Sequence, residues 1–103
     1  MSQDSTNRTA SELVALVREL ATQAEDNPIL LPVTREQLLT LLPHPSPAVR
    51  NAVAEAFWQV ADVTVVAQLR AALSVETHSV VFATIQHVLY VFGSHLKEPD
   101  LDE

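Results

Sequence analysis

The chain has 103 residues, 48% of them hydrophobic, with one Gly, no Cys and a formal net charge of −7. That length suits a single domain, and the missing Cys excludes disulfides and Cys-ligated zinc. Six Lys and Arg against thirteen acids argue against nucleic acid and anionic membrane surfaces as partners, because phosphates are bound through Lys and Arg.

Residues 1–8 are polar, lack the apolar core of a signal peptide and are expected to be disordered, which makes the cytoplasm the default location. Thr9 opens a helix. Glu12 lies three residues on, so the two form a capping box. Leu13, Leu16, Val17 and Leu20 make one apolar stripe at i, i+3, i+4, i+7, and the helix is expected to reach Ala24. Residues 25–33 contain Asn27-Pro28 and Pro32 and read as a connector whose Ile29, Leu30 and Leu31 pack down. Thr34 then starts a second helix, with Gln37 as its capping-box partner and Leu38, Leu39, Leu41 and Leu42 as its core.

Pro43, Pro45 and Pro47 end that helix and restart the chain. Ser46 is the expected N-cap of a third helix, with Pro47 at the first helical position, where its missing N–H costs nothing. This helix runs to Val60. Asp62 or Thr64 caps a fourth that reaches Leu73. Thr77 caps a fifth, and Gly93 ends it as a C-terminal cap does. Residues 94–103, SHLKEPDLDE, form an acidic tail with no expected structure beyond a turn.

These elements repeat. Residues 37–62 and 68–93 superimpose without a gap at a constant offset of 31. Gln37 falls on Gln68, Leu38 on Leu69, Leu42 on Leu73, Ala52 on Ala83, Phe57 on Val88 and Val60 on Val91. Even the caps Ser46 and Thr77 are 31 apart. Periods of about 20–50 residues mark stacked supersecondary units. The expected fold is therefore all-α: a domain over 9–93, with repeat units over 34–62 and 63–93 behind the N-terminal helix.

The fifth helix carries the sharpest functional signal. Residues 80–92, VVFATIQHVLYVF, are apolar all round, yet no later element is left to cover the far side. A helix packed on one side needs a polar back, and terminal repeats normally present one. Either the N-terminal helix or the tail covers this helix, or a second chain does; the second chain is the favoured reading. A membrane span is not expected, because the apolar run is shorter than the roughly 20 residues required and Thr84, Gln86 and His87 interrupt it.

The run Leu41-Leu42-x-His44-Pro45-Ser46-Pro47-Ala48-Val49-Arg50-x-x-x-Ala54-x-Ala56-Phe57 resembles a HEAT repeat, in the short form found in bilin-lyase subunits of phycobilisome biosynthesis. The resemblance covers residues 34–93 and implies a small α-solenoid of two helix pairs plus the N-terminal helix. It implies protein binding as the function class. The leading expectation is a non-catalytic adaptor, assembly factor or small complex subunit with an unidentified protein partner. The alternatives are a bilin-lyase-like subunit or chromophore chaperone, and a self-associating protein with a homodimeric fifth-helix interface. Three departures stand out. His44 replaces the family's Asp, and Trp58 stands where Gly is common. In the second unit Val75 and Val81 replace the Asp and the Arg. The Asp–Arg ladder of such arrays is thus expected to be absent.

The resemblance also implies that the second helix of each pair lines a concave side. Arg50, Ala54 and Trp58 would then face Val81, Ile85 and Leu89 across a shallow apolar groove, with Phe82 and Phe92 completing the fifth-helix surface. Trp58 either anchors a partner there or packs against the N-terminal helix; both readings stand. Arg50 is expected to bond the carbonyl ends of a neighbouring helix more than a partner's carboxylate.

No catalytic, cofactor or metal site is expected. His44, His78, His87 and His95 show no i, i+4 pair. Ser46, Thr77 and Ser79 read as caps, and no two carboxylates have an acid–base setting.

Overall fold

The computed structural model describes residues 9–60 and 63–96. It is all-helical: α1 (Ala10–Asp26), α2 (Leu31–Leu41), α3 (Pro47–Val60), α4 (Val66–Val75) and α5 (Ser79–Leu96), with short 3-10 turns at Pro28–Leu30 and Val63–Val65. The described residues contain no strand. The expected disorder of residues 1–8, the cap at Asp62 and the tail beyond residue 96 lie outside the described residues.

The first capping box forms as expected. Thr9 Oγ1 accepts the Glu12 N–H at 3.1 Å, and the Thr9 N–H donates to Glu12 Oε1 at 2.9 Å. The second does not form. Pro28 and Pro32, expected in a connector over 25–33, each sit in a first turn, where no intrahelical N–H is required. The connector shrinks accordingly, α2 starts at Leu31 without a side-chain cap, and Thr34 lies inside the helix, 2% exposed.

The proline-rich restart places Pro47 first in α3, where the Arg50 N–H closes the opening turn on the Ser46 carbonyl at 3.1 Å. Thr64 sits within its 3-10 turn, so α4 begins at Val66 with no side-chain cap. At α5 the capping place moves from Thr77 to His78. His78 Nδ1 accepts the Val80 N–H at 3.3 Å, and its carbonyl takes the Phe82 N–H at 2.9 Å. Gly93 does not stop α5. No described Gly has positive φ, so the left-handed geometry of a glycine cap is absent and the helix continues to Leu96.

The organising element is α3. It packs most extensively on α1, then α5, then α2, while α4 packs on α5. With neighbours on three sides, α3 buries Val49, Ala52, Val53, Ala54, Ala56, Phe57 and Val60. Ala21 and Ala24 on α1 and Ala52 and Ala56 on α3 are all buried, and their small side chains allow close helix approach. The repeat register governs much of the core: Leu38 and Leu69 are both fully buried, as are Ala54 and Ile85, and Phe57 and Val88 are nearly so. Val81, Ile85 and Val88 recur at i, i+4, i+7, which is the buried stripe of α5.

Candidate protein-binding edge

Two features link residues 34–60 to residues 63–96. The first is a clamp. Arg50 donates from Nε to Glu76 Oε1 and from Nη2 to Glu76 Oε2, both at 2.9 Å. Its Nη1 also bonds the carbonyls of His44 at 2.8 Å and Pro45 at 2.9 Å. The side chains are 17% and 4% exposed. Arg50 thus bonds carbonyls of the α2–α3 loop rather than the carbonyl ends of a neighbouring helix, and its fork is filled by Glu76 and is not offered to a partner. In place of the Asp–Arg ladder, expected to be absent from the departures at positions 44, 75 and 81, an Arg–Glu pair links residues 50 and 76. The carboxylate comes from Glu76, one residue after Val75.

The Arg50 hydrogen bonds hold the Glu76 carboxyl below its ordinary value of 4.5; burial opposes this, and the His78 N–H, bonded to Oε2 at 3.0 Å, assists it. A cleft of about 510 Å³ opens beside the clamp between α2 and α4, lined by Leu39, Leu42, Ala72 and Val75 among others. This cleft was not anticipated from the sequence: Leu39 and Leu42, expected as core of the second helix, stand at its wall.

The second feature is the α3–α5 edge. Trp58 is 52% exposed. It does not pack under α1. Its indole lies against the His87 imidazole of α5, ring centroids 4.4 Å apart and tilted by 40°. Beside this pair a hollow of about 490 Å³ is lined by Glu55, Ser79, Val80, Ala83 and Thr84 as well as the two rings. Val80 is 55% exposed, and Glu55 and Ala83 are exposed too.

The residues expected to form the groove divide. Ala54, Val81 and Ile85 are core residues with at most 1% exposure and cannot line a groove. The error is one of helix rotation. They occupy the stripe along which α3 and α5 pack, and the open surface lies beside that stripe, at Val80, Ala83 and His87. Leu89 is half-buried against the core. Phe82 is 38% exposed. The Phe92 side chain falls outside the described residues. Of the expected set, the structure brings only Trp58 to this hollow. Val80, Ala83 and His87 were missed, although their counterparts at offset 31, Val49, Ala52 and Ala56, were in view.

A third hollow, of about 320 Å³, lies between α1 and α3 and is lined by Arg18, Thr22, Ala52, Glu55, Ala56 and Gln59. Among the described residues no group of three or more His, Asp or Glu could hold a metal ion, and no helix is long and apolar enough to cross a membrane. No family model, curated protein or solved structure matches the chain.

Proposed function

We propose that this chain is a small, non-catalytic helical-repeat module of HEAT-like type that binds a protein through the α3–α5 edge around Trp58. The stacking of its two helix pairs is supported by recurrence of one hollow. Ala52 and Ala56 line the hollow against α1, and their counterparts 31 residues later, Ala83 and His87, line the hollow against α3. In the first copy these positions are closed, with Ala52 3% and Ala56 4% exposed. In the second they are open.

The observation that carries the binding role is the half-exposed Trp58 at the mouth of that second hollow. An imidazole at position 87, where the first unit has a methyl group, stands against the indole at the edge of the hollow. Aromatic side chains are the residues most enriched at binding hot spots, which favours Trp58 as the docking point.

The test is site-specific photocrosslinking in the source cells with a benzophenone amino acid at position 83, in the hollow, or at position 23, on the exposed side of α1. A discrete adduct from 83 that disappears with Trp58→Ala and is absent from 23 supports the reading. Equal crosslinking from both positions, insensitive to Trp58→Ala, rejects it.

A further inference from the structure

We infer that the occupant of the α3–α5 hollow presents a cationic side chain, Lys or Arg, next to an apolar anchor. This rests on the docking reading above and names the partner's chemistry. The hollow has two chemically distinct walls. Its α5 wall is Ser79, Val80, Ala83, Thr84 and His87, within a stretch from 77 to 96 that contains no Asp, Glu, Lys or Arg. Its α3 wall is Glu55 and Trp58, three residues apart and so neighbours on one helical face.

Glu55 is exposed, and no ion pair engages it among the described residues. Arg18 lines the adjoining hollow with Glu55 but makes no ion pair with it. The carboxylate is therefore available on the side of the hollow, and among the described residues no Lys or Arg lines it. Beside it stands Trp58. One part of its indole is taken by His87 and about half of its surface is open.

A carboxylate next to an exposed indole is a receptor for one chemical class. The cation's charge is met by Glu55, and its alkyl stem or guanidinium plane lies on the ring. The net charge of −7 favours the same partner at long range and disfavours an acidic one. The apolar floor at Val80 and Ala83 then takes the anchor residue adjoining the cation.

The experiment is selection of a displayed library of random 12-residue peptides on the intact chain, with the best selected peptide synthesised as the probe. Its binding is followed by Trp58 fluorescence or by calorimetry. The expected sequences are rich in Lys or Arg beside Leu, Phe or Met. Trp58→Ala weakens the probe by about thirtyfold or more. Glu55→Gln weakens it by about tenfold and flattens its salt dependence. Glu55→Lys, selected afresh, turns the preference from basic to acidic peptides. Both positions are exposed, and unchanged thermal unfolding confirms that the variants fold.

Peptides that need Trp58 but show no basic enrichment and ignore Glu55→Gln overturn the cationic partner and leave the docking site standing. Failure to select any peptide that depends on Trp58 overturns both.

Discussion

Replacing Arg50 with Ala removes four hydrogen bonds at once: two to the Glu76 carboxylate and two to the carbonyls of His44 and Pro45. What remains is a carboxylate that is 4% exposed while Arg50 covers it and that opens toward the adjoining cleft without it, held by the His78 N–H. Stranding one partner of a buried pair costs about 3–5 kcal/mol. The cleft between α2 and α4 admits water beside the site, so the low end, about 3 kcal/mol, is the expected loss. For a domain of this size that lowers the melting temperature by on the order of 15 °C. Glu76→Gln keeps one acceptor and should lose about 2 kcal/mol, with a coupling of about 2 kcal/mol in the double-mutant cycle.

Acid should act on the same bond. The Glu76 carboxyl is held below 4.5 in the folded chain, so its contribution is complete above that pH and is lost as pH falls through the lower folded-state value. Urea unfolding of the wild type and Glu76→Gln at neutral and acid pH isolates this term, because the other acids are common to both. The stability gap between them should close on acidification. A loss under about 1 kcal/mol for Arg50→Ala, the scale of an exposed pair, or a gap that is independent of pH would refute the clamp.

Phe57→Ala should cost about 3–5 kcal/mol, as for a fully buried aromatic, whereas Trp58→Ala next to it should shift stability by less than about 1 kcal/mol; equal effects in denaturant titrations would contradict their placement. Gly93→Ala should stabilise the chain by about 0.5–1 kcal/mol, since Gly weakens a helix interior, and a loss of stability would mean that a left-handed cap exists there after all. Thr9→Ala should cost about 1 kcal/mol through the lost capping box, measured by thermal unfolding with circular dichroism.

The parts of this fold that were legible in the sequence rest on local chemistry or on the repeat. Thr9 and Glu12 specify their capping box within four residues. The register pairs Leu38 with Leu69 and Phe57 with Val88, and both pairs are core. The parts that were missed depend on neighbours. Nothing local says whether Pro32 breaks a helix or sits in its first turn. Position 93 carries a residue that suits a helix end without requiring one.

At the edge the repeat itself misled. Val49 and Val80 are equivalent in sequence, but one is fully buried and the other 55% exposed. The difference comes from which helix lies alongside and how closely. Glu76 escaped notice because the carboxylate was sought one residue earlier.

The two guanidinium groups of α2 and α3 have a dynamic consequence. Arg35 of α2 donates to the carbonyl of Val60 at the end of α3, 25 residues on, and Arg50 of α3 reaches Glu76, 26 residues on. Each bond spans the length of a helix pair, so the first ties α2 to the far end of its own unit and the second ties that unit to the next. Opening α2, the end of α3 or the end of α4 therefore breaks a bond that another helix holds. Amide hydrogen exchange should accordingly show α2, α3, α4 and the packed stretch of α5 opening with a shared free energy, rather than as two units that release their protons in turn.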